Sequence, residues 1–240
     1  MSLDASARVF ADAEALAEGA ADWLTDILAA ASDRAAVALS GGATPRRLYE
    51  LLAEPARRDR IPWDRAHWFW GDERFVPPDD PASNFGMARD AFLAHVPAPE
   101  ANIHPVPTVG LSPEEAAARY ARTLQAFYGS EALDPGRPLF DVNVLGLGED
   151  GHTASLVPGS AALDEHARWV VPVHGLRPET RITLTYPALD SARHVAFLVE
   201  GARKRDAFRR VRAGEASLPA ARIRPAGRLH WFVDRAAAGD

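Results

Sequence analysis

The 240-residue chain contains no cysteine, which excludes a disulfide framework, a thiolate nucleophile and any metal site built on Cys ligands. It has no apolar run of the roughly 18 residues that a membrane helix needs. Its 27 Lys and Arg against 33 Asp and Glu give a net charge of −6, which argues against nucleic acid as a partner. The N-terminal segment MSLDASARVFADAEALAEGA carries acids within its apolar part, unlike a signal peptide. We therefore expect a cytoplasmic protein without nucleic-acid or membrane partners.

Lysine is nearly absent as well, because Lys204 is the one lysine among the 27 basic residues. A lone lysine in an arginine-rich chain indicates a position that needs a compact ammonium group rather than a planar guanidinium. The alternative is that Lys204 has been retained by chance on a solvent-exposed helix face and binds no ligand.

Segments typical of strands and of helices alternate along the chain. Strands are predicted over residues 35–40, 67–70, 140–148, 169–173, 181–186, 194–199 and 229–233. Helices are predicted over 11–31, 84–95 and 113–128 and from Pro45 and Gly201 onward, with Thr44, Ser83 and Ser112 placed as caps. This order predicts an α/β fold with a doubly wound, mainly parallel sheet and helices on both faces. Because no linker interrupts it, we expect residues 1–240 to form a single domain.

Four of the predicted strands end in glycines and polar residues. These ends are residues 40–44, 71–74, 146–152 and 200–204. Ligands of open parallel sheets bind beyond the carboxyl ends of the strands. We therefore expect the four segments to form one site.

The first strand end, SGGATP, brings Gly41, Gly42 and Thr44 to a helix N-terminus. Glycines let backbone N–H groups approach an anion, and the helix dipole favours negative charge there. The segment lacks the Gly-Lys-Ser/Thr of a nucleotide-binding P-loop. It is typical either of a phosphate or carboxylate cradle or of a tight strand-to-helix turn.

Residues 146–151, GLGEDG, match the G-x-G-x-x-G pattern of dinucleotide-binding proteins. Asp150 lies inside this loop, however, where its charge would repel a pyrophosphate. No acid closes a second strand at the spacing that the pattern requires. We therefore expect no nicotinamide or flavin cofactor.

Asp150 and His152 are separated by one glycine, which lets the carboxylate orient the imidazole. An imidazole held in this way suits a general base that activates water near neutral pH. The alternative is a helix start that Asp150 caps. The eight histidines show no metal-binding spacing such as H-E-x-x-H, so no metal is expected.

Charged residues follow two further strands. In Gly71-Asp72-Glu73-Arg74, one acid can bind sugar hydroxyls and Arg74 can hold a phosphate, or the charges form a surface ion pair. Lys204 lies in the predicted first turn of a helix, where its charge opposes the helix dipole. A bound anion at the same edge would remove that conflict.

The segments SGGATPRRLYELL, WFWGDERFVPPDDPASNFGMAR, FDVNVLGLGEDGHTASLVPGS and GARKRDAF, in this order, resemble the family of 6-phosphogluconolactonases and glucosamine-6-phosphate isomerases. The resemblance runs from about residue 35 to the last strand. It implies a Rossmann-like fold and hydrolysis of a phosphorylated sugar lactone without a cofactor. The sequence does not decide between a monomer and a weak homo-oligomer.

The resemblance also implies roles for individual residues. His152 would be the base that activates water, and Asp150 would support it or hold the sugar. The remaining residues would bind the phosphate (Gly41, Gly42, Thr44, Arg74, Arg181 and Lys204) or the sugar (Asp72 and Asn84).

Two alternatives stay open. An amino-sugar-phosphate deaminase/isomerase shares the glycine-rich cradle, but in such relatives an Asn-Glu-Pro-type segment carrying an acid follows Asp-Gly-His. Here residues 153–159 contain no acid. The second alternative is a binding module that senses sugar phosphates without catalysis.

Overall fold

The computed structural model describes residues 7–239. The strands are β1 (Ala7–Phe10), β2 (Ala35–Leu39), β3 (Ala66–Trp70), β4 (Asp72–Arg74), β5 (Phe140–Gly146), β6 (Val170–Val173), β7 (Arg181–Leu184), β8 (Ala192–Val199) and β9 (Arg228–Asp234). The α-helices are α1 (Ala13–Ala30), α2 (Ala43–Leu52), α3 (Pro55–Arg58), α4 (Asn84–Ala91), α5 (Pro113–Tyr128), α6 (Tyr186–Asp190), α7 (Arg205–Arg212) and α8 (Arg235–Ala238). Within residues 7–239, no helix combines the length and apolar character needed to cross a bilayer.

Six strands form a parallel sheet in the order β1-β9-β8-β5-β2-β3. The chain moves towards β3 in its first half and then back through β5, β8 and β9. Right-handed connections in the two directions place helices on opposite faces, and α1 and α2 pack against each other. The predicted doubly wound, mainly parallel α/β fold is confirmed. The direction reverses between β2 and β5, which is where such sheets bind ligands.

A second, antiparallel sheet contains three short strands in the order β4-β7-β6. The predicted strands at 169–173 and 181–186 are confirmed, and both belong to this sheet. Residues 72–74, expected only as the end of a strand, form β4 and pair with β7. Helix α5 packs on β6 and β7.

Aromatic side chains fill the core on both sides of β3. Trp68, Phe69 and Trp70 are completely buried, so they pack in the core rather than stack on a ligand. Two tyrosine hydroxyls anchor the ends of neighbouring strands. Tyr49 bonds both the N–H and the carbonyl of Ser40 at 2.9 Å, and Tyr120 does the same to Trp70 at 2.7 and 3.0 Å.

Two of the three predicted helix caps are confirmed. Ser83 caps α4, and Ser112 forms a capping box with Glu115 at the start of α5. The prediction that Thr44 caps a helix starting at Pro45 is wrong. Gly42, with φ of +113°, is the cap residue, so α2 begins at Ala43 and Thr44 lies within its first turn. Pro45 fits there because the first backbone N–H groups of a helix have no partner within it.

Candidate active site

A cavity of about 620 Å³ lies at the carboxyl ends of β2, β3, β5 and β8. All of the predicted site residues except Asp150 line it, namely Gly41, Gly42, Thr44, Asp72, Arg74, Asn84, His152, Arg181 and Lys204. The four predicted strand ends therefore meet at one site. Arg181 comes from the second sheet.

Asp150 lies behind His152 and contacts it. Its Oδ1 atom is 2.5 Å from Nδ1 of the imidazole and accepts a hydrogen bond from the His152 backbone N–H. Partial burial disfavours ionisation of Asp150, but hydrogen bonds from His152 and Arg177 lower its pKa to about 2. An ionised Asp150 favours a proton on Nδ1, which leaves the Nε2 lone pair free to accept a proton.

The loop that carries this pair is not a helix start, so the cap interpretation of Asp150 is wrong. Gly148 donates to the carbonyl of His152, and Gly151 donates to the carbonyl of Gly148. A Cβ on Gly148 would lie 1.9 Å from His152 Nδ1. This position therefore admits glycine alone without displacing the imidazole.

The glycine-rich turn after β2 packs closely against Asn84. A Cβ on Gly41 would lie 1.9 Å from Asn84 Oδ1, and Gly42 has a positive φ. Both glycines are therefore required by geometry. The turn places the first backbone N–H groups of α2, which have no partner within the helix, at the cavity wall, a suitable arrangement for an anion.

Asp72, Asn84 and Ser155 form a buried polar cluster at the cavity wall. Ser155 Oγ donates to Asp72 Oδ2 at 2.6 Å. The Asn84 amide donates to the backbone carbonyl of Asp72 at 2.8 Å. Sequence reasoning missed Ser155, whose only signal is its position three residues after His152.

Glu73, the other acid of the Gly71–Arg74 segment, is 1% exposed and does not line the cavity. Its carboxylate accepts hydrogen bonds from the backbone N–H groups of Arg74, Asn84 and Phe85. Burial raises its pKa, and these bonds act against that rise. Glu73 thus holds the start of α4, and Asp72 is the acid that faces the cavity.

Arg74 and Arg181 are opposite each other in the β4–β7 pair. One nitrogen of Arg74 donates to the carbonyl of Ala82, and one of Arg181 donates to Glu179. The Nε atoms of both are buried without a partner within the described residues. Burial and the nearby Arg74 cation lower the pKa of Arg181. An anion in the cavity would offset both the repulsion and the missing hydrogen bonds.

Lys204 lies at the end of a 3-10 turn, Ala202–Lys204, that follows β8. It is the cap residue of α7, which begins at Arg205 rather than at the predicted Gly201. Within residues 7–239 no hydrogen bond or ion pair reaches its ammonium group. The ammonium is therefore available to a ligand.

Arg177 was also missed by sequence reasoning. It lies in the connection between β6 and β7, lines the cavity and contacts both Asp150 and His152. No local motif marks it, because the contact joins positions 25 or more residues apart.

No group of three or more His, Cys, Asp or Glu side chains suited to a metal ion occurs in residues 7–239.

Comparisons with known proteins identify the family of this chain. The pattern of the family described as glucosamine-6-phosphate isomerases/6-phosphogluconolactonase matches residues 11–231. A 6-phosphogluconolactonase of Synechocystis sp. is 47% identical over 205 residues, covering 84% of this chain and 82% of the relative. One of Nostoc sp. is 45% identical over 211 residues, covering 86% and 85%. The structure of a 6-phosphogluconolactonase from Trypanosoma cruzi has a TM-score of 0.84 at 28% identity and covers 100% of this chain and 98% of that one. The resemblance is thereby confirmed, and the chain belongs to the glucosamine-6-phosphate isomerase/6-phosphogluconolactonase family.

Proposed function

We propose that this chain hydrolyses 6-phospho-D-glucono-1,5-lactone to 6-phospho-D-gluconate, the second step of the oxidative pentose phosphate pathway. The observation that carries the proposal is the Asp150–His152 pair beside a cavity that also holds Arg74, Arg181 and Lys204. A base for water and a set of cations for a phosphate are the two features this reaction requires. The relatives named 6-phosphogluconolactonase support the same reaction.

His152 acts as the general base in this proposal. Its Nε2 takes a proton from water while the water oxygen attacks the lactone carbonyl carbon, and Asp150 stabilises the imidazolium that forms. The bond from that carbon to the ring oxygen then breaks. The ring oxygen takes the proton back from His152 and becomes a hydroxyl, and the new carboxylic acid ionises. Because the step needs only water and a base, the proposal includes no cofactor.

The cationic side chains bind the phosphate. Arg74 and Arg181 each have a buried Nε–H without a partner in residues 7–239, and a phosphate oxygen can accept from it. Lys204 adds a point charge, and Gly41, Gly42 and Thr44 add backbone N–H groups at the start of α2.

Asp72 and Asn84 bind sugar hydroxyls. Both side chains are buried at the wall of the cavity. Ser155 and Asn84 hold the Asp72 carboxylate in place. A fixed carboxylate accepts from a hydroxyl at a small entropic cost.

The deaminase/isomerase alternative needs a further acid near the Asp-Gly-His segment. Residues 153–159 contain none, and the acids that line the cavity are Asp72 and Glu200. The lactonase reaction is therefore the better match. A binding module without catalysis would not need the Asp150–His152 pair.

The decisive experiment follows lactone hydrolysis by the purified protein with the spontaneous rate subtracted. We expect rapid turnover of 6-phosphogluconolactone and little of unphosphorylated gluconolactone, because only the former engages the cations. Glucosamine 6-phosphate is the third substrate, and release of ammonia from it would establish the deaminase instead. Turnover of none of the three, with a sugar phosphate still raising the Tm, would establish the binding module.

Lys204→Ala tests the phosphate site. Removal of this ammonium, which pairs with no acid in residues 7–239, is expected to raise KM about tenfold, the equivalent of roughly 1.4 kcal/mol. The value of kcat is expected to change little, because the ammonium is assigned to binding. Arg209→Ala, which removes an exposed Asp206-paired cation from α7, is the matched control. Unchanged kinetics in Lys204→Ala would show that the lone lysine serves another purpose.

We further propose that the protein works in the cytoplasm, as a monomer or weak homo-oligomer, without nucleic acid or membrane as a partner. A phosphorylated lactone is charged and crosses bilayers poorly, so its hydrolase acts where the lactone is made. The negative net charge supports the absence of nucleic acid.

A further inference from the structure

The connection between β6 and β7, residues 174–180, brings one arginine to the catalytic pair. Its ends are held by neighbouring elements. His174 contacts Glu114 of α5 at 2.9 Å, and the carbonyl of Thr180 accepts from the N–H of Phe75. Arg177 lies between these anchors, so its approach to the pair is set by tertiary structure.

Arg177 contacts both members of the pair with the same nitrogen. Its Nη2 atom donates to Asp150 Oδ2 at 2.8 Å and lies 3.1 Å from His152 Nδ1. The two oxygens of Asp150 thus have separate partners, Oδ1 the imidazole and Oδ2 the guanidinium. A carboxylate held at both oxygens cannot rotate away from the imidazole.

The charges around His152 oppose each other. Asp150 alone would favour the protonated imidazolium, which cannot act as a base. The guanidinium is a cation at hydrogen-bond distance from the same ring and disfavours a second cation there. Asp150 and Arg177 therefore act in opposite directions on a positive charge at the imidazole.

We infer that Arg177 is a positioning residue for the proposed lactonase reaction, one that fixes Asp150 against His152 and opposes a positive charge on the imidazole. This inference rests on the proposed function for its kinetic readout. Arg177 acts through its two neighbours and is assigned no contact with the reacting atoms.

The test compares Arg177→Gln, Arg177→Lys and the control Arg168→Gln. Arg168 forms an ion pair with Glu165 just before β6 and does not line the cavity. The rate constant kcat/KM for 6-phosphogluconolactone is measured from pH 5 to 7.5 with the spontaneous rate subtracted. A second measurement follows protonation of the His152 ring nitrogens by ¹⁵N NMR, with His152→Gln used for assignment.

In Arg177→Gln we expect kcat/KM at pH 7 to fall about tenfold. The acidic limb of the plot of kcat/KM against pH is expected to move to higher pH by roughly half a unit to one unit, because a neighbouring cation has been lost. The NMR midpoint of His152 is expected to move in the same direction. Arg177→Lys keeps the charge and is expected to restore the position of the limb. Arg168→Gln is expected to match the wild type.

The outcomes separate this inference from the proposed function. A wild-type protein that hydrolyses no lactone overturns the proposed function, and the NMR midpoints then decide whether Arg177 controls protonation of His152. An active wild type with an unmoved limb and midpoint in Arg177→Gln overturns the inference alone, even if activity falls. Equal shifts in Arg177→Lys and Arg177→Gln would also overturn it, because the charge would then be irrelevant.

Discussion

A single glycine separates Asp150 from His152, and this spacing brings the carboxylate to the imidazole within one turn of the loop. The geometry also needs Gly151 with φ of +79° and a side-chain-free Gly148. Because all of these contacts are local, the sequence motif predicts the pair. Arg177 lies 25 residues beyond His152, so the motif does not predict that Arg177 contacts the pair.

His152→Ala tests the base. Loss of the proton acceptor is expected to lower kcat about 10²- to 10⁴-fold, the usual contribution of a general base. The variant keeps the phosphate-binding side chains, so calorimetry is expected to give a Kd for 6-phosphogluconate close to that of the wild type.

His166→Ala is the matched control for this prediction, because His166 is exposed and does not line the cavity. Its kinetics are expected to equal those of the wild type. Wild-type turnover in His152→Ala would remove His152 from the mechanism.

At the scale of elements, the cavity depends on how firmly the strand ends are held. The hydroxyl of Tyr49 bonds both the backbone N–H and the backbone carbonyl of Ser40, which directly precedes the glycine-rich turn. Tyr120 secures Trp70 before β4 in the same way. Neither pairing is visible in the sequence, because a tyrosine on a helix can equally pack without bonding a strand.

Tyr49→Phe is expected to leave the buried N–H and carbonyl of Ser40 without partners, at a cost of about 1–3 kcal/mol in the free energy of unfolding. Because Ser40 precedes the proposed phosphate cradle, KM is expected to rise as well. Chemical denaturation and steady-state kinetics measure the two effects.

Tyr128→Phe provides the comparison for Tyr49→Phe. The Tyr128 hydroxyl also donates to one backbone group, the carbonyl of Arg137, and accepts from another, the N–H of Asp134, but it lies outside the cavity. The Tyr128→Phe variant is expected to be less stable than the wild type but to have the same KM. A rise in KM in both variants would indicate a general loss of structure rather than an effect on the cradle.

At the scale of the whole molecule, Gly71 joins the two sheets. Its N–H donates to Leu39 of the parallel sheet, and its carbonyl accepts from Leu184 of the antiparallel sheet. We propose from this that residues 1–240 fold as a single domain. Urea unfolding is expected to give one transition, coincident in circular dichroism and tryptophan fluorescence. Two separate transitions would show that the chain contains two domains that unfold independently.

Two pairs of contacting histidines make stability depend on pH. Burial and His67 lower the pKa of His104 to about 4. Burial, His194 and the Arg8 and Arg228 charges lower that of His230 to about 4. An unfolded histidine titrates near 6.5, so between pH 6.5 and 4 the unfolded chain binds more protons. Stability is therefore expected to fall as the pH drops through this window.

Asp190 has the opposite effect on the pH dependence of stability, because burial raises its pKa to about 7. The test is therefore the double variant His104→Gln, His230→Gln rather than the wild type alone. Its Tm is expected to depend less steeply on pH between 6.5 and 4.5 than that of the wild type. Equal slopes would show that the histidine pairs do not control this dependence.

Features that depend on neighbouring residues can be predicted from the sequence. It predicted the buried strands of the parallel sheet, the caps at Ser83 and Ser112 and the Asp150–His152 pair, since periodicity, capping and short-range bonds act within a few positions. It also placed four strand ends at one edge, because parallel strands share their direction. The helix cap was predicted at Thr44, two residues after the actual cap Gly42, because the position of Pro45 suggested a later start of α2.

Contacts between distant residues depend on the tertiary structure. It placed β4, β6 and β7 in a separate antiparallel sheet, set Arg74 opposite Arg181, and brought Ser155 to Asp72 and Arg177 to the Asp150–His152 pair. The pairings of Arg74 with Arg181, of Ser155 with Asp72 and of Arg177 with the Asp150–His152 pair join residues 25 to 107 positions apart, where no local preference acts. Packing of α5 on β6 and β7 and the hydrogen bonds of Gly71 to both sheets bring these segments together, and polar groups that become buried there require partners.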